Sequence, residues 1–457
     1  MDREAVMEAG DEPKNSERKQ LPQWLSSALP GSKAEKSPKA DSSAHDDAQT
    51  YLTGVRGCLA IMSFLWVFMD TFLPAAAEGA ADIDGPSDYA GLRKSLSVFF
   101  WNGSLIYSSI IFLSARTICL PFLLSPTKLT LASAVVRRGL RLWFPTAVAL
   151  IICYAIFTKT LTTDYLAAFD AQTANATVTA DLWIMPNSLS NFNSIFEVFW
   201  VANSLSAQSG NWAFPSQTLW VITAVFQQSY TAYTTMVIIP YTRKTWRLYG
   251  AFVFIITAWW VYSWAWFTIS GLLLADLVVN MDFKGFCQTH RLYTLAVASF
   301  CMLVGYAMQF TWVAARPDLQ NSELKYHTGL YSTGGLQTFV DPTTPQLRAD
   351  DYLVIVGLYI FLESTEVLQK IFRNKALIFL GNRSYSYFLL QSIIAYTLGI
   401  KTVSKMIGDS MDGYSKAVGI AFIACLLVTV AAGEVFYWLI DKPSQKLARI
   451  VFTWMLE

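Results

Sequence analysis

Residues 252–279 read FVFIITAWWVYSWAWFTISGLLLADLVV, an almost unbroken apolar stretch whose single charge is Asp276. A helix that crosses the roughly 30 Å apolar core of a bilayer needs about 20 such residues. The stretch therefore predicts membrane-spanning structure, either as one long tilted helix or as two short spans. We favour two spans, 249–264 and 266–281, joined by a tight turn near Thr268–Gly271.

Apolar segments of similar length recur along the chain and predict an all-α fold, a polytopic membrane bundle of about ten transmembrane helices. The other eight are 57–75, 97–115, 142–158, 216–239, 292–313, 351–369, 377–399 and 416–440. The 457 residues are 54% hydrophobic and 15% charged, whereas soluble domains carry about 25% charged residues. A shorter apolar segment, 193–206, predicts a helix on the outer membrane surface.

Charged residues concentrate at the amino terminus, which suggests three regions. Residues 1–50 are rich in Ser, Lys, Glu, Asp and Pro and lack the apolar region of a signal peptide. We expect a disordered cytosolic tail there, then a transmembrane domain over 51–449 and a short cytosolic tail over 450–457. The net charge of +1 gives no bulk argument for nucleic-acid binding.

The distribution of Lys and Arg predicts the orientation, because basic residues favour cytosolic loops. The outer loop 159–215 carries only Lys159, whereas basic residues cluster in the segments predicted to be inside. These are the loops 116–141, 240–248, 282–291 and 370–376 and the carboxyl-terminal tail with Lys442, Lys446 and Arg449. Both termini of this multi-pass protein are then cytosolic, and we expect the endoplasmic reticulum or another endomembrane. The sequon at Asn175 falls in the outer loop, where a glycan could be attached.

Carboxylates inside the predicted spans are candidate functional residues, because a charge within a bilayer is costly. Asp276, Glu366 and Glu434 lie close to inner span ends, where water can solvate them. Asp70 falls late in the first span and Glu363 falls in the middle of the eighth. Asp70 and Glu363 are therefore the two carboxylates that we consider for a site.

Histidine is absent from every predicted span, because the three histidines lie in the amino-terminal tail and in loops: His45, His290 and His327. The usual general base near neutral pH is therefore missing from the membrane core. The six cysteines form no CxxC pair, so the chain lacks the pattern of a zinc site or a disulfide framework. We expect no bound metal or cofactor.

A basic cluster, Arg137, Arg138 and Arg141, lies where an inner loop meets the third span. Residues three apart on a helix share a face, so Arg138 and Arg141 could together hold a phosphate or pyrophosphate. The alternative is that the cluster only satisfies the preference for basic residues on the cytosolic side.

Six short motifs, in order, resemble the fungal branch of the acyltransferase 3 family of integral membrane O-acyltransferases. They are LTGVRG at 52–57, FFWNGSLI at 99–106, RGLRLWFP at 138–145, QTLWVITAVFQQS at 217–229, FLGNRSYSYFLL at 379–390 and DKPS at 441–444. The resemblance covers about residues 52–449. It implies transfer of an acyl group from acyl-CoA or acetyl-CoA to a hydroxyl of a small molecule, such as a fungal secondary metabolite.

The resemblance also implies roles for single residues. Arg138 and Arg141 match the family pair associated with the acyl donor, and Arg56 matches an arginine that could bind donor phosphate. Three titratable family positions are replaced. The first-span histidine falls within Phe64–Phe68, the glutamate of the tryptophan motif falls on Val225, and the ninth-span histidine falls on Gln391.

A working transferase would need another base or would rely on donor positioning alone. Asp70 lies one helical turn beyond Trp66, near the vacant position, and is our first candidate; Glu363 is the second. Two alternatives stay open. The chain could be a non-catalytic subunit that binds lipid or protein, or a transporter that uses the same bundle.

Overall fold

The computed structural model describes residues 50–77, 87–157, 165–169, 182–200, 205–316, 345, 347–407 and 413–457. All regular secondary structure in these residues is helical, so the all-α prediction is confirmed for them. The helices of 13 residues or more are α1 Thr50–Phe72, α2 Gly103–Ile118, α3 Lys128–Ile156, α4 Ser188–Trp200, α5 Trp220–Ile238, α6 Lys244–Trp260, α7 Ala265–Asn280, α8 Arg291–Phe310, α9 Ala349–Ser364, α10 Lys375–Ile394, α11 Tyr414–Phe436 and α12 Lys442–Trp454.

Shorter helical segments connect or extend these helices. The α-helical ones are Ser87–Leu92, Val98–Phe100, Leu120–Leu124, Ser209–Trp212, Phe283–Thr289, Glu366–Phe372 and Ile400–Ile407. The 3-10 turns are Pro74–Ala76, Pro215–Gln217 and Ile239–Tyr241, and the π turns are Arg93–Ser97, Thr311–Ala315, Ala395–Gly399 and Tyr437–Asp441.

Each of the ten predicted membrane segments overlaps a helix, namely α1, α2, α3 and α5 to α11. Five helical stretches of the described chain are long and apolar enough to cross a bilayer: Thr50–Phe72, Tyr89–Leu124, Lys128–Ile156, Arg291–Val313 and Tyr414–Trp454. A sixth is added if α7 and the segment Phe283–Thr289, bent by 81°, form one span. Several helices are thus compatible with a membrane, and the number ten stays a prediction.

The apolar stretch 252–279 forms two helices, α6 and α7, as predicted, but the predicted position of the turn was wrong. The chain breaks between Trp260 and Ala265, where Tyr262 has a positive φ of 59°. Thr268 and Gly271 lie inside α7. Gly271 serves packing instead, because a Cβ there would lie 2.6 Å from the carbonyl oxygen of Phe112 on α2.

The predicted surface segment 193–206 is helical over 193–200, within α4, and Leu205 and Ser206 form a turn. In α4, Ile195, Val198 and Phe199 are buried, while Phe192 and Trp200 are exposed. Residues 201–204, most of the predicted tail 1–50 and the sequon residue Asn175 lie outside the described residues. At the other terminus, α12 continues to Trp454, inside the predicted tail 450–457.

The most extensive helix packing in the described structure joins α1 to α10 and the short segment before it. A Cβ on Gly54 would lie 1.7 Å from the carbonyl oxygen of Phe372, and one on Gly57 would lie 2.1 Å from that of Leu377. On α10, a Cβ on Gly381 would lie 1.8 Å from the carbonyl oxygen of Thr53. The backbones touch here, as small residues allow between membrane helices.

This contact gives a structural reason for two of the sequence motifs. Gly54 and Gly57 belong to LTGVRG and Gly381 belongs to FLGNRSYSYFLL, so the two motifs are the two sides of one helix crossing. Arg56 lies between Gly54 and Gly57. The glycine crossing therefore sets the position from which Arg56 projects.

The variant Gly381→Ala is expected to destabilise the protein by about 1–3 kcal/mol, because the added methyl group must push two backbones apart. Gly419→Ala on α11 is the matched control, since a Cβ at Gly419 meets no atom within 4 Å. Thermal denaturation of the purified protein in detergent measures both. Equal midpoints for the two variants would show that the crossing tolerates a side chain.

Candidate functional site

A cavity of about 730 Å³ lies among α1, α2, α3, α5, α10 and α12, a volume within the range of small-molecule sites. Its described wall carries one carboxylate, Asp441, and five arginines: Arg56, Arg137, Arg138, Arg141 and Arg449. One negative and five positive charges leave an excess of four positive charges. Such a cavity attracts anions.

The arginines and the apolar side chains occupy different levels of this cavity. On α1, Arg56 is followed by Leu59, Ala60 and Ser63 along the lining. Seven residues of helix place Ser63 about 10 Å beyond Arg56 along the axis. Apolar residues of α2, α5 and α10 line the cavity with Ser63: Ile110, Leu113, Val221, Ile222, Val225 and Phe388. The arrangement suits a ligand with an anionic head and an apolar tail.

Hydroxyl groups, rather than carboxylates, hold the innermost arginines. Arg138 donates from Nη2 to the Oγ of Ser114 at 2.6 Å and from Nε to the Oγ of Ser229. Arg56 donates from Nη2 to the Oγ1 of Thr117 at 3.4 Å. Neutral hydroxyls orient a guanidinium group without cancelling its charge. Arg138 and Arg56 therefore keep their positive charge available to a ligand.

The outer arginines of the cavity have no fixed partner. Arg141 and Arg449 are exposed, and their side chains make no hydrogen bond or ion pair within the described chain. Arg56 lies close enough to Arg138 and Arg141 for mutual repulsion. Asp441 is buried and attracts Arg141 and Arg56, and one of its oxygens accepts a hydrogen bond from Gln445 at 3.1 Å. One carboxylate offsets only part of this charge, so an anionic ligand would relieve the repulsion.

The structure brings together three of the five residues predicted for catalysis or donor binding. Arg56, Arg138 and Arg141, predicted to bind an acyl donor, line the same cavity. Asp70 is exposed near the opposite end of α1 from Arg56 and is not among the described lining residues. Glu363 is also outside that lining, and the role of both carboxylates as a base stays a prediction.

Glu363 lies at the end of α9 in a buried ion pair with Arg116 of α2. The Nη2 of Arg116 lies 2.9 Å from Oε1 of Glu363, and their side chains are 0% and 3% exposed. Tyr51 of α1 donates its hydroxyl to Oε2 at 2.7 Å. Both carboxylate oxygens are engaged, so Glu363 joins three helices.

Parts of this arrangement differ from the sequence prediction. Arg116 is predicted to lie in an inner loop, but the structure buries it within α2. Arg449 is predicted only to mark the cytosolic side, yet it lines the cavity. The spacing of Asp441, Gln445 and Arg449 is that of one helical face, and this pattern could have predicted a shared surface.

Two positions where the chain departs from the family pattern lie at the cavity. Val225, at the position of the family glutamate, is part of the lining. Gln391, at the position of the ninth-span histidine, donates from Nε2 to the Oγ of Ser63 at 2.7 Å, and Ser63 is part of the lining. The replaced residues are therefore neighbours of the candidate site.

Comparisons of the chain with protein-family models, curated proteins and solved structures found no match.

Glu363→Ala is expected to destabilise the protein by about 3–5 kcal/mol, because it leaves the Arg116 charge buried without its partner. The double variant Arg116→Met/Glu363→Leu should recover much of that loss, since it removes both charges. Glu366→Ala is the control. It breaks an exposed pair with Lys284 and should change stability by less than about 1 kcal/mol.

Thermal denaturation in detergent compares the three variants with the wild type. A fully stable Glu363→Ala protein that had lost acyl transfer would instead place Glu363 in the chemistry.

Proposed function

We propose that this chain is an acyltransferase 3-like membrane protein that binds acyl-CoA or acetyl-CoA in the arginine-lined cavity and transfers the acyl group to a hydroxyl of a small molecule. One observation carries the proposal. Five arginines and a single carboxylate line the described wall of a cavity whose part around Ser63 is mainly apolar. Coenzyme A supplies phosphates for the arginines, and its pantetheine arm and acyl chain suit the apolar part.

The geometry of two long helices supports a cytosolic opening of the cavity. The helical stretch Tyr414–Trp454 has 41 residues, or about 60 Å, roughly twice the apolar thickness of a bilayer. Its last part, α12, packs against α3, a helix of 29 residues. These two helices supply Arg137, Arg138, Arg141 and Arg449. We place this end outside the apolar layer, on the side of the basic loops, where acyl-CoA is present.

The proposed topology is a bundle of ten spans in the endoplasmic reticulum or another endomembrane, with both termini in the cytosol. The ten apolar segments that fall on helices and the low basic content of loop 159–215 support it. An even number of spans is required to keep both termini on one side. Asn175 would then face the lumen as a candidate glycan acceptor.

The reaction in this proposal depends mainly on positioning. No histidine is among the described residues that line the cavity, and Glu363 is held by Arg116 and Tyr51. Holding a thioester carbon against a hydroxyl can by itself supply a large part of a rate enhancement. The arginines would hold the donor head while the apolar wall directs the acyl group inward.

A second candidate function is acyl-CoA binding without transfer. Val225 and Gln391 replace titratable family residues next to the cavity, and this observation favours a subunit that binds the ligand and leaves it unchanged. Turnover separates the two functions. Release of free coenzyme A in the presence of hydroxylated acceptors supports transfer, and tight binding without release supports the binding subunit.

The double variant Arg138→Ala/Arg141→Ala is expected to weaken acyl-CoA binding ten- to hundredfold, because two charge-assisted contacts to phosphate are lost. Arg243→Ala/Arg291→Ala is the matched control. It removes two exposed arginines that are not part of the cavity lining and should leave the affinity unchanged. Isothermal titration with palmitoyl-CoA and with acetyl-CoA measures both. Equal weakening in the two double variants would show that Arg138 and Arg141 act only through the overall positive charge of the protein.

The variant Asp70→Asn is expected to keep acyl transfer within about threefold of wild type, because Asp70 is exposed and outside the described cavity lining. Removal of a general base costs about two to four orders of magnitude in rate. A loss of that size, with acyl-CoA affinity preserved, would identify Asp70 as the base that replaces the missing histidine.

A further inference from the structure

Ser63 is a buried hydroxyl at the inner, apolar part of the arginine-lined cavity. It is 1% exposed and lines the cavity. Its Oγ accepts a hydrogen bond from Nε2 of Gln391 at 2.7 Å, and Gln391 is also 1% exposed. Two helices, α1 and α10, therefore fix this hydroxyl in place.

The hydroxyl proton of Ser63 has no acceptor within the described chain. Neighbouring hydroxyls behave differently. Thr117 donates to the carbonyl oxygen of Leu113 at 2.9 Å, and Ser229 donates to that of Val225 at 2.6 Å. In each case the acceptor is the backbone carbonyl four positions earlier in the same helix. Ser63 makes no such bond, so its donor is available to whatever occupies the cavity.

Gln391, the hydrogen-bond partner of Ser63, also has a polar atom without a partner. Oε1 of Gln391 is buried and has no hydrogen-bond partner. A buried polar group without a partner costs free energy, and buried groups of this kind call for an explanation such as a ligand. A ligand carbonyl beside Ser63 would satisfy the free serine donor, whereas Oε1 of Gln391, an acceptor, calls for a ligand donor such as the hydroxyl of the acceptor molecule.

On the premise of the proposed function, we propose that Ser63 donates a hydrogen bond to the thioester carbonyl oxygen of acyl-CoA. Ser63 is then a catalytic residue and Gln391 is its positioning residue. The bond received from Gln391 polarises the serine hydroxyl and strengthens the bond that it donates. Arg56 lies two helical turns nearer the cavity mouth, which separates recognition of the phosphates from recognition of the carbonyl.

The chemical step balances without a protein base. The acceptor oxygen bonds to the carbonyl carbon, and the carbonyl π electrons move to oxygen, where Ser63 stabilises the negative charge. Collapse of this intermediate restores the carbonyl and breaks the C–S bond. The acceptor proton ends on the departing thiolate, which leaves as the thiol of coenzyme A. The products are an ester and free coenzyme A.

Acetyl-CoA and S-ethyl-CoA form a matched pair of probes, since the second replaces the carbonyl oxygen with two hydrogens. Wild-type protein should bind acetyl-CoA about three- to tenfold more tightly, the value of one hydrogen bond. Ser63→Ala and Gln391→Leu should lose this preference, and Ser63→Thr should keep it. Arg138→Ala/Arg141→Ala should weaken both ligands equally and leave the ratio intact. Gel filtration confirms that each variant is folded.

The outcomes separate this inference from the proposed function. Wild-type protein that binds neither probe overturns both. Equal affinity for the two probes, or a preference that survives in Ser63→Ala, overturns the role of Ser63 while coenzyme A binding stands. An acyl group found on Ser63 by mass spectrometry also overturns it, because Ser63 would then be a nucleophile. In turnover, Ser63→Ala should lower kcat about hundred- to thousandfold with KM for acyl-CoA unchanged.

Discussion

The buried ion pair between Arg116 and Glu363 is the interaction on which the rest of the bundle depends. An ionised side chain in a low-dielectric interior is tolerated when it is paired and hydrogen-bonded. Here the pair joins α2 to α9, and Tyr51 adds α1 through its bond to the second carboxylate oxygen. The helix fixed in this way, α1, also carries Arg56 and Ser63. The charged pair thus supports both levels of the cavity without being part of its lining.

The contact of α1 with α10 completes that support. At Gly57 and Gly381 the two helices touch through their backbones, and further along the same pair of helices Gln391 bonds to Ser63. A polar contact of this kind needs helices whose separation is constant, because a hydrogen bond weakens quickly with distance. The close backbone contacts at the glycines keep the separation of α1 and α10 constant. Two motifs of the sequence therefore act together on one feature of the cavity.

Much of the fold was predictable because hydropathy is a local property, and the ten apolar segments all fall on helices. The prediction was wrong where a residue contacts a partner that is far away in the sequence. Gly271 suggested a turn but instead packs against α2, and Arg116 suggested a loop although its partner Glu363 is 247 positions away. For the site, the motifs pointed to Arg56, Arg138 and Arg141. Ser63 has no local signature and required the tertiary structure. The spacing of Arg449 from Asp441 and Gln445 predicts a shared helical face, but only the tertiary structure shows that this face lines the cavity.

The hydroxyl partners of Arg138 and Arg56 have a consequence for how the cavity is filled in a cell. Because serine and threonine leave the guanidinium charge uncancelled, the empty cavity must collect small mobile anions from the surrounding solution. Entry of a larger polyanion is then an exchange, in which those ions return to bulk water. Occupancy would follow the ionic composition of the compartment as well as the amount of ligand, since dissolved salt screens exposed charges. Abundant nucleotides would compete for the same charges.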